Sequence, residues 1–271
     1  MAKHTLKQGL IDYLETLQMA GVSEISAECK AQSAKKEPEV ERSTTSGHAT
    51  QHAEQNTEQH FSGGSQNRDQ NDRHDQTLNR DDQLKQIADV VCKCKKCPEL
   101  VANRTQTVFG VGNPFAELVF LGEAPGADED KQGIPFVGRA GKLLTDMIEK
   151  GMRLKREDVY ICNILRCRPP GNRNPDPVEA AHCRTFLDAT LEVIQPKYLC
   201  CLGSIAATNL LDSQETIGRM RGRIFDHQGI KVVCTYHPAY LLRNPSAKTA
   251  AWEDLQLLMR IMGLPIPQKN G

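Results

Sequence analysis

Between Leu118 and Met262 short apolar runs alternate with longer amphipathic stretches, and this alternation constrains the fold more than any other feature. Apolar, β-rich runs predict strands at 118–122, 158–164, 197–202 and 231–235, and helical periodicity predicts helices at 138–151, 177–194, 204–211 and 247–262. Gly151 is placed to end the first of these helices, and Pro177 to start the second. Strands that alternate with helices in this way specify an α/β fold: a three-layer α/β/α sandwich around a mostly parallel central sheet. Ligands of such sheets bind beyond the carboxyl ends of the strands. Gly122 and Glu123, Asn163, Gly203 and His237 stand at or just past those ends, so one pocket can collect them.

The preceding part of the chain has a different character. Leu6, Leu10, Tyr13, Leu14 and Leu17 repeat at helical spacing, which predicts one short amphipathic helix within 1–28, suited to docking on another protein or on the main domain. Residues 29–83 are rich in Gln, Asn, His, Asp, Glu, Ser and Thr and poor in apolar residues. Such a segment buries too little surface to offset its chain entropy and is expected to be a disordered polar linker. A folded domain is expected over 84–265, opening with a short helix from about Asp82 that leads into a cysteine-rich run, and a tail over 266–271. The formal net charge of zero conceals an asymmetry: residues 1–83 carry 9 Lys+Arg against 14 Asp+Glu, and residues 84–271 carry 25 against 20. The domain is therefore mildly basic, which permits nucleic-acid binding without requiring it. No run of about 18 apolar residues is present, and the N-terminus lacks an apolar secretory core, so no membrane association and a cytoplasmic location are expected. A monomer is expected.

Ten cysteines without a secretion signal argue for metal ligation over a disulfide scaffold. Cys94 and Cys97 form a C-x2-C pair, and Cys167 and Cys183 can close a four-thiolate site from a distance. Such a set suits an iron–sulfur cluster or zinc, although the distant pair lacks the spacing of a zinc ribbon. Cys92 is an alternative to Cys94. Cys162, Cys200, Cys201 and Cys234 fall in strand-like runs and read as small buried apolar residues.

From Cys94 onward the chain resembles the family 4 uracil-DNA glycosylases. The resemblance rests on RTQTVFGVGNP after the cysteine pair, LGEAPGADEDKQGIPFVGRAGKLL, VYICNILRCRPPGNRNPDPVEAAHC and HPAYLLRNPS, all in order. It implies an α/β/α fold, excision of uracil from DNA by base flipping, and a [4Fe–4S] cluster held by Cys94, Cys97, Cys167 and Cys183.

Residue roles follow from the chemistry and the resemblance together. Flipping costs a few kcal/mol, the leaving uracil gathers negative charge, and the sugar becomes oxocarbenium-like. His237 is expected to donate to uracil O2 as charge builds there. Glu123 is expected to position water or offset the sugar's positive charge. By resemblance Glu129 stands near the C5 edge of the base and disfavours thymine, and Phe136 stacks on its face. Gly122 is grouped with these substrate-binding residues. The amide of Asn163 offers a donor and an acceptor side by side, matching uracil O4 and N3–H and mismatching cytosine. For gripping DNA, the candidates are Arg166, Arg168 and Arg173 around Cys167, Ser204 at a helix start, and Leu241, Leu242 and Arg243 as an apolar wedge with a basic neighbour. A related branch that links covalently to DNA carries a Lys/Arg-rich insertion ending in His after the Asn-bearing strand. Here that loop reads RCRPPGNRNP, with no His, so turnover is expected. The competing readings are a non-catalytic cluster-bearing DNA-binding module attached to replication or repair proteins, and a zinc-dependent hydrolase.

Overall fold

The computed structural model describes residues 68–267. The helix expected within 1–28, the greater part of the 29–83 linker and the end of the tail lie outside the described residues. Helix α1 (Arg68–Lys93) starts upstream of Asp82, so its first turns fall inside the stretch expected to be linker. Its anchorage comes from further along. Leu84, Ile87 and Val91, at i, i+3 and i+7, are buried in the core, and each such burial contributes roughly 1.5–3 kcal/mol. Arg80 adds a guanidinium 4.3 Å above the Phe115 ring and a 3.2 Å hydrogen bond to the Ile194 carbonyl.

A six-stranded sheet follows among the described residues: β1 (Val111–Gly112), β2 (Leu118–Gly122), β3 (Tyr160–Asn163), β4 (Tyr198–Leu202), β5 (Ile224–His227) and β6 (Ile230–Thr235), in the spatial order β1-β3-β2-β4-β6-β5. The inner four strands are parallel, and the two edges are antiparallel. The helices that flank the sheet are α2 (Pro98–Asn103), α3 (Ala127–Gln132), α4 (Arg139–Asp146), α5 (Pro177–Ile194), α6 (Ser204–Leu211), α7 (Ile217–Met220), α8 (Pro238–Arg243) and α9 (Lys248–Ile261).

The period of two along each strand separates two cores. Val119, Leu121, Cys162, Cys201 and Cys234 pack with α1, α5 and α6 on one face. Leu118, Phe120, Ile161, Cys200 and Val233 pack with Leu144 and Ile148 and with Leu255, Leu258 and Met259 of α9 on the other. This is the expected three-layer sandwich, and Cys162, Cys200, Cys201 and Cys234 are fully buried in it, as expected of small apolar residues.

The predicted strand and helix positions match apart from their ends. Pro177 does open α5, where Asp176 accepts from the Val178 N–H at 2.8 Å and Glu179 accepts from the Asp176 N–H at 2.8 Å, a capping box. Gly151 does not end its helix. The chain continues in a wider π turn over Met147–Met152 and stops at Arg153, which is left-handed at φ 60°. Gly151 serves packing instead: a Cβ there would stand 3.2 Å from the Trp252 ring.

The chain crosses from β2 to β3 on one side and reaches β4 and β6 on the other. The end of β2 is thus the switch point where an open α/β sheet leaves a crevice.

Candidate active site

The parallel ladder pairs Gly122 with Asn163, so the two last residues of β2 and β3 lie side by side. A Cβ on Gly122 would fall 2.3 Å from Asn163 Oδ1 and 2.6 Å from Phe136 Cζ. Only glycine lets the amide and the aromatic ring approach each other over the strand end. Asn163 is buried, and its Oδ1 has no hydrogen-bond partner in the protein. Buried polar atoms are nearly always paired, and an orphan at a strand end calls for a water or a ligand group to complete it. Its backbone is fixed from behind, because Arg166 Nη1 donates to the Asn163 carbonyl at 3.0 Å.

The Phe136 ring lies 5.6 Å from the His237 ring, centroid to centroid. His237 follows β6 and caps α8: its Nδ1 accepts the Ala239 N–H at 3.1 Å. With Nδ1 accepting, the proton of the neutral ring sits on Nε2, a donor free to meet a developing anion. Burial first, and the nearby Arg243 charge second, hold His237 down to about 4, so the ring is neutral near pH 7. Gly203 at the end of β4 (φ 91°) backs it, since a Cβ there would meet His237 Cβ at 3.0 Å. Glu123, one residue past Gly122, is half-buried, and burial raises its pKa above the ordinary carboxylate value. Four strand ends thus contribute to one crevice.

Phe136 itself is strained. It is buried and left-handed at φ 56°, a conformation that costs a non-glycine residue of order 1–3 kcal/mol. Its surroundings hold it there. Arg156 Nη2 donates to the Pro135 carbonyl at 2.9 Å and to the Phe136 carbonyl at 3.1 Å, while Nη1 donates to Thr145 Oγ1 at 3.0 Å. Gly141 leaves room for the Phe136 carbonyl, which a Cβ would overlap.

Several expected roles change. The Glu129 carboxylate is turned into its own loop, where it accepts from the N–H groups of Gly126 (3.1 Å), Val137 (3.1 Å) and Gly138 (3.2 Å). It clamps the loop that carries Phe136 and is not directed at a base edge. Arg166 is a core cation, 1% exposed, with Nη2 donating to Thr190 Oγ1 at 3.4 Å and its guanidinium 5.2 Å above the Phe109 ring. It cannot meet phosphate from there. Arg173 is committed to a two-pronged pair with Glu179 (2.7 and 2.9 Å) and a third bond to Glu99 (2.8 Å). Leu241 is packed inside at 2% exposure, so it is no wedge. Exposed Arg243 and Ser204 and half-buried Arg168 and Leu242 remain at the surface. HPAYLLR forms helix α8, with Pro238 at its first turn; proline at that position was the sequence sign of it.

Cys94 and Cys97 lie in the turn between α1 and α2, Cys167 in the β3–α5 loop and Cys183 on α5, and Cys97, Cys167 and Cys183 share a small core with Leu100 and Leu165. Burial raises the Cys97 thiol, and Cys183, Cys94, Glu179 and Cys167 raise it further, so Cys97 lies within electrostatic reach of the other three sulfurs. Arg104 Nη1 donates to Cys167 Sγ at 2.9 Å, and its Nη2 donates to the carbonyls of Cys92 (3.3 Å) and Cys94 (3.0 Å). Four cysteine sulfurs with a guanidinium among them are a donor set that suits an anionic cluster. Among the described residues no three His, Cys, Asp or Glu side chains stand ready to share a single metal ion. A cavity of about 550 Å³ opens beside Cys97 and His182, away from Asn163 and His237; Arg173 is paired with Glu99 and Glu179 in its wall.

An α/β sheet whose strand ends bring together an unpartnered amide oxygen, an aromatic ring and a neutral imidazole donor has the polar groups and the flat apolar face that suit a planar polar ligand. Residues 109–256 match the family model of the uracil DNA glycosylase superfamily. A type-4 uracil-DNA glycosylase of Thermotoga maritima is 48% identical over 170 residues, covering 62% of this chain and 87% of that protein. Another from Archaeoglobus fulgidus is 43% identical over 192 residues, 68% of this chain and 96% of that protein. A DNA polymerase of Bacillus phage SP01 is 29% identical over 154 residues, 56% of this chain but 16% of the polymerase. The chain belongs to the uracil DNA glycosylase superfamily, and within it to the type-4 uracil-DNA glycosylases.

Proposed function

We propose that this protein hydrolyses the N-glycosidic bond of deoxyuridine in DNA after flipping the base, leaving an abasic site for base excision repair. The observation that carries this is the orphaned Asn163 Oδ1 beside Phe136 and the His237 donor. Phe136 takes the face of the base and Asn163 its O4/N3–H edge. Nε2–H of His237 meets O2 as negative charge collects there; a preorganised donor of this kind contributes about 10²–10³-fold. Glu123 offsets the sugar's positive charge or orients the attacking water. DNA contact falls to Arg168, Ser204, Leu242 and Arg243, and no His lies in the β3–α5 loop to trap a covalent adduct.

The [4Fe–4S] cluster belongs to the same proposal. Cys94, Cys97, Cys167 and Cys183 would hold it, with Arg104 donating to Cys167. When bound, it supplies a cross-link between α1, α5 and the loop behind Asn163, and hydrolysis itself transfers no electron.

Excision of uracil from a labelled oligonucleotide by cluster-loaded protein tests the activity. Failure to cleave would refute it and favour a non-catalytic DNA-binding module, for which the phage polymerase match is the supporting observation. Absorbance near about 400 nm, expected of thiolate-bound iron, tests the cluster; a colourless protein with zinc bound would refute it.

A further inference from the structure

We infer that Arg156 is the positioning residue that holds Phe136 in stacking register for uracil, although it lies outside the strand ends that form the crevice. This rests on the uracil-excision proposal and deepens it. Three observations carry it. Phe136 has a backbone conformation that an aromatic residue rarely adopts, φ 56°, so something must hold it there. A single guanidinium grips the carbonyls on either side of the Phe136 Cα, those of Pro135 and Phe136, at 2.9 and 3.1 Å. That same guanidinium is moored to α4 through Thr145 Oγ1 at 3.0 Å, while Glu129 fixes the next two N–H groups, of Val137 and Gly138.

The division of labour is chemical. Glu129 accepts from the amides after Phe136, and Arg156 donates to the carbonyls at and before it. Together they settle both sides of one strained residue, whose ring must stand beside Asn163 and 5.6 Å from His237. Arginine is required because its planar fork spans two carbonyls and a hydroxyl at once; a lysine ammonium is a point donor and reaches fewer of them. Without the fork, Phe136 relaxes toward φ < 0, its ring leaves the base face, and the affinity lost is affinity for the base alone.

A double-mutant cycle on the full chain tests this, with free uracil as the probe and ligand-observed NMR as the measure of its affinity. Arg156→Met should weaken uracil binding by about tenfold, near the strength of one good stacking contact. In the Phe136→Leu background the same change should alter affinity by less than about twofold, because nothing remains for Arg156 to position. Arg156→Lys should fall between wild type and Arg156→Met. Fold is followed through the emission of Trp252, the chain's one tryptophan. If Arg156→Met fails to fold, Arg156→Lys carries the same cycle with a loss of about threefold. Equal losses in both backgrounds, or unchanged uracil affinity in the single variant, would overturn the inference. Excision is scored separately: a wild type that binds uracil, shows the cycle and does not cleave DNA overturns the proposed activity and leaves Arg156's role standing.

Discussion

Replacing Gly122 with alanine adds one methyl group at the most crowded point of the crevice. The new Cβ would stand 2.3 Å from Asn163 Oδ1 and 2.6 Å from Phe136 Cζ, where an ordinary contact needs at least 3.4 Å. The amide must therefore retreat by about 3.4 − 2.3 = 1.1 Å and the ring by about 3.4 − 2.6 = 0.8 Å. Neither is free to swing, since both are buried and Phe136 is pinned by Arg156. Overpacking of this kind costs roughly 1–3 kcal/mol of stability. The effect on function is larger in relative terms: a misplacement of about 1 Å in positioning groups costs roughly 10²-fold in rate, equivalent to about 2.7 kcal/mol of barrier. Single-turnover excision from a uracil-containing oligonucleotide, with alkaline cleavage of the abasic product, reads the rate, and thermal unfolding reads the stability. Gly122→Ala should retain its fold and lose about 10²-fold in excision. A variant within about threefold of wild type would show that Asn163 and Phe136 do not read the base from these positions.

Three further outcomes are expected. Asn163→Asp replaces the amide donor with an acceptor, so discrimination between uracil and cytosine in competing oligonucleotides should narrow by at least about tenfold; unchanged selectivity would remove Asn163 as the reader. His237 sits at about 4 in the folded state against an ordinary 6.5, so between those values the unfolded chain binds a proton that the folded chain refuses. Stability should therefore fall as pH drops through that window, and His237→Asn should lessen the fall in urea midpoints between about pH 7 and pH 4.5; identical profiles would contradict a neutral His237. A chain beginning at Arg68 should excise uracil at the full-length rate, whereas one beginning at Leu84 also loses Arg80's hold on Ile194 and Phe115 and should melt several degrees lower, for a loss of about 1–2 kcal/mol. Equal melting of the two would show that Arg80 contributes nothing.

The strands and long helices are legible in the sequence: Leu118–Gly122 is a short continuous apolar run, buried on both faces, and Pro177–Ile194 announces itself by pattern and cap. The edge strands were not, since Val111–Gly112 is two residues long and Ile224–His227 alternates too weakly to stand out. In the site, Asn163 and His237 could be read from their places after apolar runs. Glu129, Arg166 and Leu241 could not, because sequence gives a side chain's chemistry without its direction. Glu129 turned inward to loop amides, Arg166 into the core and Leu241 beneath α8. Arg156 carried no sign at all: it stands in the charged run KRED, and its role appears only once Pro135 and Phe136 fold against it.

The pairing of Gly122 with Asn163 has a consequence for how this protein family can diversify. Asn163, the residue proposed to read the base, is set in a hydrogen-bonded ladder between two inner strands, where a one-residue slip would turn it to the opposite face. Arg168, Leu242 and Arg243 stand instead on loops and short helices, which tolerate substitution and insertion far better. A substitution at these surface positions would change the proposed contact with nucleic acid and leave the sheet intact, whereas moving the proposed base reader would require the sheet itself to change register.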